Sequence, residues 1–244
     1  LRVLSHELRT PLNGVLGMTQ LLSLGDLTSQ QRAQLDTITS SGNRLDELLN
    51  EVMDSECLNT GRLRIIKKPV KFSSFINPIL DRQRRAADAK GLRFEVEALT
   101  DLPDRIVIDA GRAAQCLDHL VSNAVKFTNE GYVKVSCSHI TSPGPPRLMF
   151  KVRDTGIGMS KAAQSRVFQR FAQEDMSESR IYGGMGLGLW NSKIMAELMG
   201  GGIGVNSKPG AGSTFTLNLI AEAVSAKEAP ASAQGSGQAT DLAS

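Results

Sequence analysis

The chain has 244 residues, which is enough for one or two domains with a hydrophobic core. Its formal net charge of +3 is small and its basic residues are dispersed, so the composition does not indicate nucleic-acid binding. The three cysteines lack CxxC spacing, which favours reduced thiols, and no apolar run approaches the ~20 residues of a membrane span. Because the sequence starts within a helical pattern and without a methionine, we expect it to be a fragment.

The first part of the chain has the apolar spacing of two packed helices. The first helix repeats every seven residues and the second follows a 3-4-3-4-3 spacing, which predicts a seam. The seam residues are Leu1, Leu8, Leu12, Val15, Thr19 and Leu22, then Leu35, Ile38, Gly42, Leu45, Leu49 and Val52. Residues 25–28 separate the helices, and Thr28 or Ser29 can cap the second. These stripes need more cover than one hairpin provides, so we expect a homodimer in which residues 1–52 of both copies form a four-helix bundle.

Beyond residue 67 the pattern changes to strands and helices. Helices are predicted over residues 72–90, 110–128 and 187–199, and strands over residues 92–98, 105–108, 132–140, 147–153, 203–207 and 214–219. This order predicts a mixed sheet with helices on one face, an α+β two-layer sandwich. We therefore expect a helical hairpin at residues 1–66, an α+β domain at residues 67–221, and a disordered linker at residues 222–244, where Ala, Ser and Gly occur without periodicity.

The first predicted helix carries a candidate nucleophile. His6 is followed directly by Glu7, and Thr10 lies one helical turn further along the same face. A carboxylate next to an imidazole can keep one ring nitrogen protonated and leave the lone pair of the other free to attack. We expect His6 to point away from the seam, toward solvent.

Three further motifs have the composition of a nucleotide site. The first places an amide on a helix, where its oxygen is a suitable ligand for Mg²⁺, and comprises Asn123, Lys126 and Phe127. The second follows a strand and comprises Asp154, Gly156 and Gly158. The third is a glycine run that opens a helix and comprises Gly184, Gly186, Leu187 and Gly188. Glycine lets backbone approach phosphate closely, and a helix N-terminus offers free amide protons and partial positive charge.

In this order, the four motifs resemble the phosphoacceptor box and the nucleotide boxes of sensor histidine kinases, particularly the hybrid type. The ATP-binding domain of that family has the GHKL fold, shared with gyrase, heat-shock chaperones and MutL. The resemblance covers residues 1 to about 221, nearly the whole chain. It implies ATP and Mg²⁺ as cofactors, autophosphorylation of a histidine, and transfer of the phosphoryl group to the aspartate of a receiver domain.

The resemblance also implies a role for each hairpin residue in these motifs. His6 would be the phosphoacceptor, Glu7 the orienting base, and Thr10 a residue that positions water in the reverse, phosphatase reaction. It further implies the cytoplasmic portion of a membrane-anchored sensor.

In the nucleotide boxes, Asp154 would accept a hydrogen bond from the adenine amino group, with Gly156 and Gly158 leaving room for the base. The metal ligand would be Asn123, while Lys126 would neutralise phosphate charge and Phe127 would border the nucleoside. The segment between the second and third boxes resembles the lid that closes over the nucleotide, anchored by Phe168 and Phe171.

Some positions depart from the family pattern. His119 stands one turn before Asn123, where many relatives have a second asparagine, and Met185 replaces the usual threonine of the glycine box. The departures leave a weakened kinase as one alternative to an ordinary one. A second alternative is a regulatory module, similar to hybrid sensors of the RetS type, that pairs with another histidine kinase through the hairpin. A third is an ATP-driven GHKL clamp, which would leave the His6 segment without a role.

Overall fold

The N-terminal part of the chain is a helical hairpin. The computed structural model describes residues 2–172 and 186–224, with side chains from Glu7 onward. Helix α1 (Arg2–Ser23) is followed by a short turn and by α2 (Ser29–Asn59). Thr28 is the N-cap of α2: its hydroxyl accepts from the Gln31 amide at 3.3 Å, and its own amide donates to the Gln31 side chain at 2.9 Å. This reciprocal capping box satisfies two amides, which decides between the two predicted caps in favour of Thr28.

Only part of the predicted seam is buried within one hairpin. Leu12, Leu35 and Gly42 are buried between the two helices, and an added Cβ at Gly42 would overlap the side chain of Leu16. Thr19 is buried as well, Leu49 and Val52 are partly buried, and five other seam positions are about half exposed: Leu8 52%, Val15 49%, Leu22 52%, Ile38 47% and Leu45 49%. The single hairpin therefore presents an uncovered apolar stripe.

The rest of the described chain forms an α+β sandwich. The strands are β1 (Lys68–Lys71), β2 (Arg93–Ala98), β3 (Arg105–Ile108), β4 (Tyr132–Ile140), β5 (Arg147–Asp154), β6 (Gly202–Lys208), β7 (Gly212–Ile220) and β8 (Glu222–Ala223). The helices are α3 (Phe72–Ala89), α4 (Ala110–Phe127), α5 (Lys161–Arg166) and α6 (Gly188–Leu198). The predicted two-layer fold is confirmed, and the long helices and six predicted strands lie within a few residues of their expected positions.

The main sheet has five strands in the order β2-β4-β5-β7-β6, with β2 parallel to β4 and the other pairs antiparallel. Alternate residues of β5 are buried under the helices, namely Leu148, Phe150 and Val152, whereas Lys151 and Arg153 are exposed on the other face. This alternation is typical of a sheet with one covered face.

A second, three-stranded sheet in the order β1-β3-β8 was not predicted. Its strands β1 and β8 are too short to show a clear alternation, and α5 likewise has a single buried residue, Ala163. The prediction that residues 222–244 are a linker is wrong at its start, because Glu222 and Ala223 pair with β3. Residues 225–244 lie outside the described residues.

Helix α2 also docks on the sandwich. Leu58 belongs to the sandwich core, and Asp54 accepts hydrogen bonds from Arg112 at 2.8 Å and from Gln115, both on α4. A second contact joins Arg170 to the hydroxyl of Ser55 at 3.0 Å. The docked part of α2 therefore combines one buried leucine with a cluster of polar contacts.

This docking lies at the end of the hairpin that carries His6. On α1, Arg9 contacts Asn50 of α2 at 2.7 Å and Asp46 at 3.6 Å, so residue 9 is level with residues 46–50. The two helices are antiparallel, and position 6 is therefore nearest to the segment of α2 that touches the sandwich.

Replacing Asp54 with Ala should destabilise the chain by about 1–3 kcal/mol, because Arg112 and Gln115 lose a partly buried acceptor. Urea unfolding at a fixed protein concentration measures this loss. Asp36→Ala is the matched control, since Asp36 is an exposed residue of the same helix. Equal stability of the two variants would show that the docking contact contributes nothing.

Candidate nucleotide site and phosphoacceptor

Asp154 ends β5 with its carboxylate turned inward. Its Oδ1 accepts hydrogen bonds from the amides of Gly156 at 2.9 Å and Ser213 at 3.1 Å. Burial raises the pKa of Asp154, and these two backbone hydrogen bonds act in the opposite direction. Since both hydrogen bonds use Oδ1, Oδ2 is the oxygen that can accept from a ligand. The Ser213 amide was not predicted, because a backbone donor carries no side-chain signal in the sequence.

The glycines that follow Asp154 are required by the packing of the chain itself. An added Cβ on Gly156 would overlap the carbonyl oxygen of Phe127, at the end of α4. Gly158 has a φ of +66°, and an added Cβ would overlap the carbonyl of Lys208 at the end of β6. We expected these glycines to leave room for a base, but the structure gives a more immediate reason: the loop is held between α4 and the β6–β7 turn.

The last turns of α4 carry the first nucleotide motif. The Lys126 ammonium lies 4.9 Å from the centre of the Phe127 ring. Burial lowers the pKa of Lys126, Arg44 lowers it further, and Glu51 of α2 raises it. Lys90, which was not predicted as a site residue, donates to the carbonyls of Val125 at 2.8 Å and Lys126 at 2.9 Å. A cation at a helix C-terminus satisfies orphan carbonyls, so Lys90 stabilises this end of α4.

Asn123 lies one turn earlier on α4, beside His119. The two side chains are joined through Asn123 Nδ2 and His119 Nε2, at 3.0 Å. Burial lowers the pKa of His119 to about 4, so its imidazole is neutral at pH 7. This contact uses the amide nitrogen of Asn123, so its oxygen is the atom that can act as a metal ligand.

The third motif is described in part. Gly184 and Met185 lie outside the described residues. Gly186 has a φ of +68° and its carbonyl accepts from the Phe171 amide at 3.0 Å, while Leu187 is buried immediately before α6. Helix α6 thus begins at Gly188, as the glycine pattern predicted within one residue.

The two phenylalanines expected to anchor a lid differ in burial. Phe168 packs edge-on against Phe215 with ring centres 6.3 Å apart, whereas Phe171 is 63% exposed. Next to Phe171, the guanidinium of Arg170 lies 4.9 Å from the centre of the Trp190 ring on α6. Arg170 thereby joins the segment before the third motif to both α6 and the hairpin, and it was not predicted as a site residue.

The candidate phosphoacceptor segment is helical. His6, Glu7 and Thr10 all lie on α1, and Glu7 and Thr10 are exposed. The predicted orientation of the His6 side chain falls outside the described side chains.

The three nucleotide motifs meet around α4. The Asp154 loop contacts its C-terminal end through Gly156, and the start of α6 contacts its flank, where His119 adjoins Gly188. Within residues 2–172 and 186–224, no cluster of three His, Cys, Asp or Glu side chains could hold a metal. One amide oxygen suits Mg²⁺, which keeps most of its water and is usually held by substrate phosphates as well, so Asn123 fits this ion. Among the helices described, none combines the length and apolarity that a membrane crossing requires.

Comparisons with known proteins match both domains. The family described as "His Kinase A (phospho-acceptor) domain" matches residues 1–61, and the family described as "Histidine kinase-, DNA gyrase B-, and HSP90-like ATPase" matches residues 108–223. The chain is 38% identical over 217 residues to the signal transduction histidine-protein kinase BarA of Escherichia coli (strain K12), covering 88% of this chain and 24% of BarA. It is 41% identical over 220 residues to the sensor histidine kinase GacS of Pseudomonas protegens, covering 88% and 24%.

A solved structure is also similar. The full-length ShkA crystal structure in complex with AMPPNP has a TM-score of 0.74 and 34% identity, covering 92% of this chain and 46% of that one. The chain spans about a quarter of the length of BarA and GacS, as the 24% coverage of both shows.

Gly156→Ala should move the Asp154 loop away from α4, because its Cβ would overlap the Phe127 carbonyl. Overpacking of this kind typically costs about 1–3 kcal/mol of stability, and the Gly156 hydrogen bond to Asp154 would be lost with it. Thermal unfolding measures the loss of stability. Calorimetry measures how the displaced Asp154 loop changes nucleotide affinity. Gly204→Ala on β6 is the control, since nothing lies within 4 Å of an added Cβ there. Identical behaviour of both alanine variants would contradict the steric argument.

Proposed function

The chain belongs to the sensor histidine kinases and comprises their catalytic core, and we propose that it phosphorylates His6 from ATP and passes the phosphoryl group to a receiver aspartate. The observation that carries this proposal is the meeting of three nucleotide motifs around α4 in a chain that also carries His6 and Glu7 on a docked hairpin. A GHKL clamp would have no use for the hairpin motif.

The described contacts support a separate role for each residue at the nucleotide. Asp154 Oδ2 would accept the adenine amino group while Oδ1 stays with its two backbone amides. Phe127 would border the nucleoside, and Lys126 would neutralise phosphate charge. The amides at the start of α6, with Gly184, Gly186, Leu187 and Gly188, would receive the phosphates at a helix N-terminus. Mg²⁺, held by Asn123 Oδ1 and the phosphates, would neutralise charge on the transferring group.

The transfer itself is a substitution at phosphorus. The lone pair of one His6 ring nitrogen forms the N–P bond as the bond between the γ-phosphorus and the bridging oxygen breaks, and ADP leaves with that electron pair. Glu7 holds the proton on the other ring nitrogen before attack and takes it afterwards. Thr10 would position water for the reverse, phosphatase reaction. Positioning and charge neutralisation supply most of the catalysis in such transfers.

The hairpin supports a homodimer. Its uncovered stripe, which includes Leu8, Val15 and Leu22, would be buried by the same stripe of a second hairpin in a four-helix bundle. The phosphoryl donor is a cytoplasmic metabolite, so we place this part of the protein in the cytoplasm, in a sensor anchored to the membrane. The receiver domain would be the partner of phosphorylated His6.

A second candidate function is regulation of another histidine kinase through the same hairpin. The observation that favours it is His119, which stands in the phosphate and metal region where relatives have an amide. This candidate requires phosphoryl transfer to His6 to fail while the hairpin still pairs with the second kinase.

His6→Gln should abolish acid-labile, base-stable label from γ-labelled ATP, because the side chain that forms the N–P bond is gone. His139→Gln, on β4 and outside the motifs, is the control and should keep the label. Label that persists in His6→Gln would remove His6 as phosphoacceptor. An unlabelled wild type that forms a tight complex with a second histidine kinase would favour the regulator.

Asp154→Asn should lower ATP affinity about ten- to a hundredfold, measured by calorimetry. The variant keeps Oδ1 for the backbone amides but turns an amide donor toward the adenine amino group, and an unsatisfied buried pair costs about 1–3 kcal/mol. Asp101→Asn is the exposed control. Unchanged affinity in Asp154→Asn would place the adenine elsewhere.

A further inference from the structure

His119 is held in one orientation on the flank of α4. Its side chain is partly buried, and its Nε2 lies 3.0 Å from Asn123 Nδ2, one turn later on the same helix. An amide nitrogen can only donate, so Nε2 must be the acceptor and the imidazole proton must be on Nδ1. In this orientation of the Asn123 amide, the hydrogen bond selects the tautomer of His119 that is protonated on Nδ1.

The imidazole ring is also packed against the start of α6. An added Cβ on Gly188 would overlap the ring atoms Cε1 and Nε2, so this position accepts no side chain while His119 is in place. Gly188 has no positive φ to require glycine, and close approach of the ring is the reason for glycine here. The same ring thus touches the first and the third nucleotide motifs.

We propose that His119 is a positioning residue of the nucleotide site, which aims the Asn123 oxygen at the metal and sets the spacing between α4 and α6. The proposal rests on the proposed function, because it assumes that Asn123 meets Mg²⁺ bound with the nucleotide. If Nδ2 were released, the Asn123 amide could turn and offer its donor in place of the oxygen. The departure from the family pattern at this position is then a working replacement and not a loss.

The test is the gain in nucleotide affinity that Mg²⁺ provides, measured by calorimetry with AMPPNP in EDTA and in Mg²⁺. Partners that orient a metal ligand typically change metal affinity about 10- to 100-fold. His119→Phe keeps a ring but removes the acceptor, and should reduce the ratio of the two affinities at least about tenfold. His119→Gln, which restores an acceptor oxygen, should recover most of the ratio. His139→Phe is the matched control and should leave the ratio as in the wild type.

The outcomes separate the two proposals. A wild type that binds AMPPNP without any gain from Mg²⁺, or does not bind it, contradicts the proposed function and removes the positioning role with it. A wild-type gain that survives in His119→Phe overturns the positioning role alone. Failure of His119→Gln to recover the ratio, beside a loss in His119→Phe, also overturns it, since the acceptor would not be the cause.

The contact with α6 is tested without nucleotide, by thermal unfolding. Gly188→Ala should lower the melting temperature in the wild-type background and lower it less in a His119→Ala background, where the ring is gone. Gly204→Ala is the control, because nothing lies within 4 Å of an added Cβ at this position on β6, and it should shift the melting temperature equally in both backgrounds. Additive effects of Gly188→Ala and His119→Ala would show that the ring does not set the spacing.

Discussion

The buried face of α4 is the constraint on which the nucleotide site depends. Ala113, Cys116, Leu117, Leu120 and Val121 have no exposed surface and follow the three- and four-residue spacing of one helix face. Full burial of the two leucines and the valine contributes about 5–9 kcal/mol before conformational entropy is counted. A helix held so firmly against the sheet cannot rotate. The residues on its flank therefore meet fixed neighbours, the Asp154 loop at one end and the start of α6 alongside.

Close approach of backbone and side chains then shapes the site in detail. Gly156 lets the loop after β5 touch the last carbonyl of α4, and Gly188 lets an imidazole lie against the first turn of α6. A methyl group at either position would separate two of the three motifs. Glycine in this site serves contacts within the protein as well as any approach to phosphate.

The contact between hairpin and sandwich has a different character. Its described hydrogen bonds join Asp54 to Arg112 and Gln115, Ser55 to Arg170, and the Glu51 carbonyl to Asn191 at 2.9 Å. Polar interfaces between domains of one chain resemble transient protein interfaces more than cores. Such an interface suits the proposed transfer, in which nucleotide bound to the sandwich would have to meet His6 on the hairpin. Glu51 and Asn191 also have buried oxygens without hydrogen-bond partners among the described residues, which weakens the contact further.

The sequence by itself determined the two-domain order, the hairpin, the main helices and strands, and the four motifs. These follow from local patterns: seven-residue spacing, alternation, glycine after a strand, and a histidine next to a carboxylate. The tertiary structure decided what no local pattern contains. It showed that five positions of the hairpin seam are exposed, that β1 and β8 pair with β3 across a long stretch of chain, and that Lys90, just after α3, caps α4. It also gave His119 its neighbours, because Asn123 is one turn away in sequence but Gly188 reaches the ring only when α6 folds onto α4. The neighbours of side chains such as Lys90 and His119 come from distant parts of the chain. They are set by tertiary packing, which the sequence pattern of a single segment does not show.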